Sequence, residues 1–264
     1  MQITRDLFND YLKFSRLRSE ALVTKKLDLS DMDWFYPTLL LPLGIFKMDH
    51  HDIQVIPPRD HNVSNYFEII TKSGETTGNK SYIPIIKLPA TREEAEEKLR
   101  ELNYFAAKEC GGVNALQFFI GELTENIYEH SDFSTAYVMA QKYPTMKFLE
   151  FCIIDDGITI PGSYEKAGIP IESDKSAIEI ALNGKSTKIL EENERGFGLS
   201  SSIDELTLDL GGTCLIVSRK GSLRATDGGN DTFNIDEGHK YPGTLISIMV
   251  PFQKGPVEIK GRWR

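Results

Sequence analysis

Apolar residues recur along one stretch of the chain at steps of three and four: Val113, Leu116, Ile120, Leu123 and Ile127. At about 100° per residue such positions collect on one stripe, which predicts an amphipathic helix over residues 118–132 (FFIGELTENIYEHSD). Glu122, Asn126, Glu129 and His130 follow the i, i+4, i+7, i+8 spacing and share the adjoining stripe. Residues 148–154 (FLEFCII) form an apolar, strand-like run that stops at Asp155-Asp156-Gly157. After Glu194-Arg195-Gly196-Phe197-Gly198-Leu199, a serine-rich helix start covers 200–206. Gly211-Gly212-Thr213 leads into a further strand, and 243–251 (GTLISIMVP) alternates as a strand that begins Gly-Thr.

The N-terminal third reads differently. A helix is expected over 4–20, strands over 21–28 and 52–56, an apolar run over 39–46 and a helix over 63–70, together a small α/β layer. Residues 71–89 carry Gly, Ser, Thr and Pro with little periodicity and mark a boundary. Thr91-Arg92-Glu93-Glu94 reads as a capping box that opens a helix over 91–109, and 254–264 as a polar tail.

Composition narrows the function classes. A chain of 264 residues, 40% hydrophobic and 26% charged, can bury an adequate core in one or two domains. The formal net charge of −9 argues against direct nucleic-acid binding over a broad surface. Cys110, Cys152 and Cys214 are widely spaced, as expected of reduced thiols in a cytoplasmic protein. The pair His50-His51 lacks a metal-ligand pattern. No apolar segment approaches the ~20 residues of a membrane span, so no membrane partner is expected.

Each candidate site residue has a plain alternative. A Glu and an Asn one turn apart suit a magnesium nucleotide, since the amide oxygen is a hard ligand and a carboxylate can orient water. The same residues also fit ordinary amphipathic design. An Asp closing a buried strand before Gly157 presents a carboxylate beside approachable backbone, yet Asp-Gly is also a common turn. Gly196 and Gly198 ahead of a helix could point N–H groups at an anion, or form a flexible loop. Gly184-Lys185-Ser186-Thr187 is not a P-loop: position 179 is Glu and no apolar strand precedes it.

Taken in order, these segments resemble the GHKL ATPase superfamily, which takes in the ATP-binding domains of sensor histidine kinases, DNA gyrase, heat-shock chaperones and anti-sigma-factor kinases. ELTENIYEHS is similar to its N box, IIDDGITIPG and ERGFGLSSSIDEL to its two glycine boxes, and GTLISIMVP to its last motif. The resemblance covers the C-terminal two thirds of the chain. It implies ATP and Mg2+ as cofactors, with Asn126 holding the metal and Glu122 as the catalytic base. Asp155 would accept the adenine amino group, with Gly157 beneath the base and Thr244 at the same edge. Gly196, Gly198 and Leu199 would bring backbone to the phosphates, and His130 would touch phosphate or base, unless it is a structural histidine. Residues 176–194 fit the place of the ATP lid, from which Lys185, Ser186 and Lys188 would meet the γ-phosphate. The first glycine box departs from the family: Thr159 stands where a second glycine is usual, and its hydroxyl would face a phosphate.

Residues 28–44 (DLSDMDWFYPTLLLPLG) are similar to STAS domains such as anti-anti-sigma factors, with Thr38 near their phosphorylated serine. Capping of the following helix is the other role for Thr38. The fold class expected is α/β: a Bergerat-type sandwich over 91–264, with a mixed, mostly antiparallel sheet carrying helices on one face. A STAS-like domain over 1–75 and a linker over 76–90 would precede it. Three functions are expected in competition: a regulatory protein that binds ATP and hydrolyses it slowly, an anti-sigma-type Ser/Thr kinase for a separate STAS-like protein, and a non-catalytic interaction module. The partners expected are ATP and a regulatory protein, and a homodimer is compatible with all three.

Overall fold

The computed structural model describes residues 5–72, 81–107, 109–110, 114–184, 198–255 and 257, with backbone alone for 114–119. In chain order the elements are α1 (Leu7–Thr24), β1 (Lys26–Asp28), α2 (Pro37–Asp49), β2 (Gln54–Ile56) and α3 (His61–Thr71). Then come β3 (Tyr82–Lys87), α4 (Arg92–Ala107), α5 (Asn114–His130), β4 (Ala136–Tyr143) and β5 (Phe148–Asp155). Next are α6 (Thr159–Lys166), α7 (Asp174–Leu182) and α8 (Leu199–Asp204), the last running into a π-helical turn at Glu205–Asp209. Strands β6 (Thr213–Arg219), β7 (Gly221–Thr226), β8 (Gly229–Asn234) and β9 (Tyr241–Pro251) follow, with a 3-10 turn at Glu237–His239 before β9.

The chain is α/β. Seven strands form one sheet in the order β3-β4-β5-β9-β6-β7-β8, with every neighbouring pair antiparallel. The sheet is therefore not mixed among the described residues. Alternate residues of a strand face opposite ways, and here both ways are apolar. Leu149, Phe151 and Ile153 of β5 face α4, α5 and α8 through Leu102, Ile120, Leu123, Ile127 and Ile203. Cys152 and Ile154 face the N-terminal helices, with Met139, Val217, Leu245 and Met249 beside them. An antiparallel sheet commonly leaves one face to water. Here the second face is covered by Tyr11, Phe14, Leu39, Leu43, Phe67 and Ile70, each of which is worth about 1.5–3 kcal/mol when fully buried. Helices thus lie on both faces instead of one.

The N-terminal third departs from its sequence pattern in three ways. Helix α1 runs on to Thr24 and stops at Lys25, whose φ of 58° gives a left-handed cap, so only Lys26–Asp28 is left as strand. The separate α/β layer reduces to one parallel pair, β1 with β2, while the helices share the core of the large sheet. Strand β3 lies inside the expected linker and pairs with β4.

Helix α2 is apolar almost all round because it lies between the sheet and the outer helices; Leu39, Leu40, Leu41 and Leu43 are all buried. Thr38 is not its cap. The N-cap is Tyr36, which makes no side-chain cap bond. Thr38 is fully buried, and its N–H and hydroxyl both donate to Glu150 Oε1, at 2.8 and 2.6 Å. Ser247 Oγ is 2.5 Å from the same hydroxyl. Arg5 holds the Glu150 carboxylate from the other side, is also bonded to Asp10, and lies 3.5 Å over the Tyr36 ring.

Candidate functional site

Helix α5 buries Ile120, Leu123 and Ile127 against the sheet, which turns the next stripe to the rim of that core. Glu122, Asn126 and His130 are half-buried there, and Glu129 is exposed. Asn126 Nδ2 donates to Glu122 Oε1 at 3.4 Å. This contact uses the amide nitrogen, leaving the amide oxygen for a cation, and it fixes the Glu122 carboxylate one turn away.

Three strands share the core beneath this helix. The register sets Asp155 of β5 opposite Thr244 of β9, and Thr244 opposite Ser218 of β6. Two residues back, Ile153, Ile246 and Ile216 belong to the core beneath α5, so the three polar residues continue that face. The Thr244 and Ser218 hydroxyl oxygens are 3.0 Å apart, and Ile160 N–H donates to Ser218 Oγ at 2.9 Å. Asp155 is 4% exposed and accepts from Gly157 N–H at 2.8 Å. Burial, with Asp156 as a smaller contributor, pushes its carboxyl up to about 7. A buried carboxylate with few partners at a strand end is a binding-site feature.

The turn after β5 is pinned to the end of α5. Asp156 accepts N–H bonds from Ser134 and Thr135 and the Thr135 hydroxyl, all at 2.8 Å. Ile158 N–H donates to Ser131 O at 2.6 Å. Gly157 is required by packing: a Cβ there would lie 2.2 Å from Ser131 O. At Gly243, just before Thr244, a Cβ would lie 1.8 Å from Asp155 O. Thr159 has φ of 75°, the left-handed region in which a β-branched residue is an outlier. Its Oγ1 accepts Gly162 N–H at 3.1 Å, so the hydroxyl caps the first turn of α6. That bond uses the oxygen as acceptor and leaves the hydroxyl proton uncommitted.

The structure thus brings Glu122 and Asn126 onto one helix and Asp155, Gly157, Thr159 and Thr244 onto the neighbouring strand ends and turn. Gly198 is the N-cap of α8, with Leu199 its first residue, packed against the core beneath α5. Lys185, Ser186, Lys188 and Gly196 lie outside the described residues, as does most of the stretch expected to form a lid. The described beginning of that stretch is α7, a packed helix with Ala177 and Ile178 buried and a Ser173/Ser176 capping box. Sequence reasoning passed over Ser218, Asp156 and Ser131. Of these only Asp156 carried a signal, as the second carboxylate of the Asp-Asp-Gly turn.

A groove of about 510 Å³ bounded by Arg5, Phe8, Thr213 and Arg224 opens elsewhere. Its two guanidinium groups are already paired with Glu150, Asp10 and Asp6. No group of three His, Cys, Asp or Glu side chains converges as a metal site among the described residues. Nor is any described helix long and apolar enough to cross a membrane. Comparison of the chain with protein-family models, with curated proteins and with solved structures gives no match.

Proposed function

We propose that this chain is an ATP-binding regulatory protein with a GHKL-type, Bergerat-like nucleotide site that hydrolyses ATP slowly with magnesium. The observation that carries the reading is that two sets of groups belong to one face of the sheet. A Glu122–Asn126 pair lies on the helix over the sheet, and a buried Asp155 sits opposite Thr244 on the strand ends of the same face. Asp155 would accept the exocyclic amino group of adenine, with Thr244 at the same edge. Asn126 Oδ1 is the hard donor for magnesium, whose remaining ligands would be phosphate oxygens and water, as is usual for this ion. When bound, the ion neutralises charge on the triphosphate. Glu122, oriented by the Asn126 amide, would take a proton from the attacking water. A regulatory partner would sense the nucleotide state, with the chain resident in the cytoplasm.

Titration calorimetry with Mg·ATP tests the site. Asn126→Ala is expected to weaken binding at least tenfold, while Glu122→Ala binds normally and releases no phosphate. Affinity for Mg·ATP unchanged by Asn126→Ala would reject the assignment. Incubation with γ-labelled ATP separates phosphate released to water from phosphate carried onto protein. Thr38 is enclosed by Glu150 and Ser247, so label found on the native chain would have to sit elsewhere.

A further inference from the structure

We propose that helix α1 regulates the nucleotide site: seated on the turn before β9, it holds the entry of that strand in the shape that binds ATP, and its release lowers ATP affinity. The inference rests on the nucleotide reading above and adds to it the part of the chain through which that site is controlled.

One stripe of α1 meets three successive backbone carbonyls. Tyr11, Ser15 and Arg18 stand at i, i+4 and i+7 and so share a helix face. The Tyr11 hydroxyl donates to His239 O, and Arg18 Nη2 donates to Lys240 O at 2.9 Å. Ser15 Oγ lies 3.4 Å from Gly238 O and 2.9 Å from His239 Nδ1. Tyr11 and Ser15 are fully buried, so their hydroxyls depend on this turn for partners. Among the described residues the other side-chain tie from the turn to the sheet is an exposed Glu237–Lys220 pair at 3.4 Å, a contact of little worth.

From the turn the chain enters β9 at once. The Tyr241 ring packs against Tyr11 and Phe14 of α1, with centroids 6.5 and 6.3 Å apart. Tyr241 pairs with Arg219, whereas the next pair is Thr244 with Ser218. One step on β6 thus faces three on β9, a bulge that holds Pro242 and Gly243. Gly243 sits so close to Asp155 O that a Cβ would be 1.8 Å from it. The shape of the bulge therefore decides how β9 meets β5 at Thr244 and Asp155. Packing at the joint is incomplete: a groove of about 270 Å³ runs between Phe14, Arg18, Ile45, Tyr241 and Pro242. A joint left unfilled lets α1 leave the turn without repacking the sheet. Seated and released α1 are the two states, and nucleotide favours the seated one because that state sets Thr244 against Asp155.

The test measures the coupling in both directions on the full chain, since coupled equilibria act on each other reciprocally. Tyr11→Phe combined with Ser15→Ala is expected to raise the Mg·ATP dissociation constant about tenfold in calorimetry. In the parent, saturating Mg·ATP should slow amide hydrogen exchange across 236–241, residues outside the site itself. Ile70→Val loosens the same layer at α3 and should bind Mg·ATP like the parent. If the double variant does not fold, Tyr11→Phe alone takes its place, with an expected loss of about threefold. Parental affinity in the α1 variant, or an equal loss in Ile70→Val, overturns the role of α1 and leaves the nucleotide site standing. Exchange across 236–241 that ignores bound ATP does the same. A folded parent that binds no nucleotide overturns both.

Discussion

Strand β5 carries two buried carboxylates, Glu150 and Asp155, on opposite faces of the sheet, and they are treated in opposite ways. Glu150 is 0% exposed and fully engaged: Arg5 grips it, and the Thr38 backbone and hydroxyl both donate to it. Asp155 is 4% exposed and, among the described residues, takes one hydrogen bond and pairs with no cation. The first arrangement closes a polar network and ties α1 and α2 to the central strand. The second leaves a carboxyl in a costly environment at an open strand end. Burial alone does not distinguish structural from functional polar groups; the degree of satisfaction does.

The largest expected effect falls on the satisfied side. Glu150→Ala leaves the Arg5 guanidinium and the Thr38 donors without their shared acceptor, and breaking a buried pair from one side costs about 3–5 kcal/mol. Urea unfolding should show that loss, while the surviving folded fraction keeps its affinity for Mg·ATP. A loss under about 1 kcal/mol would mean that the network is ornamental, and the contrast with Asp155 would disappear.

Asp155→Asn should move stability the other way. Its carboxyl titrates at about 7 in the fold against about 3.9 in an unfolded chain. A raised carboxyl favours the fold fully below the unfolded value and loses that contribution as pH climbs through about 7. The parent is therefore burdened by Asp155 at pH 8 and not at pH 4. Relative to the parent, the Asn variant should gain on the order of 3 kcal/mol between those pH values and bind ATP more weakly. Thermal melts of the two proteins across pH 4–8 check this. Parallel stability curves would show that Asp155 is comfortably solvated and is no strained binding group.

How much of this was legible in the sequence follows from which interactions set each element. Helix α5 and strands β5 and β9 were readable because Ile120, Leu123 and Ile127, the mostly apolar 148–154 run and the 243–251 run carry their pattern on the surface of the text. So was the order Glu122, Asn126, Asp155, Gly157, Thr244. Strand β3 was not: Pro84 interrupts it and polar residues precede it, and only pairing with β4 makes it a strand. Strand β8 (GNDTFN) has no apolar face to read, being mostly exposed at the sheet edge. Glu150 hid inside an apolar run, and its partners Arg5 and Thr38 lie 145 and 112 residues away. Ser218 was silent for the same reason, since its meaning depends on Thr244 across the register and on Ile160 above it.

The smallest effect tests the turn that links the two regions. Thr159 holds φ of 75° at a position where glycine would be unstrained. Its hydroxyl offsets part of that cost by accepting Gly162 N–H at 3.1 Å. Thr159→Gly removes the strain, about 1–2 kcal/mol, and also removes a hydrogen bond worth about 1 kcal/mol, so its net change should lie within about 1 kcal/mol of zero. Thr159→Ala keeps the left-handed strain and loses the bond, and should therefore be the less stable of the two by about 1 kcal/mol. Chemical denaturation of both variants decides it. An Ala variant at least as stable as the Gly variant would mean that the turn, and with it the approach of Gly157 to Ser131, is held by packing alone.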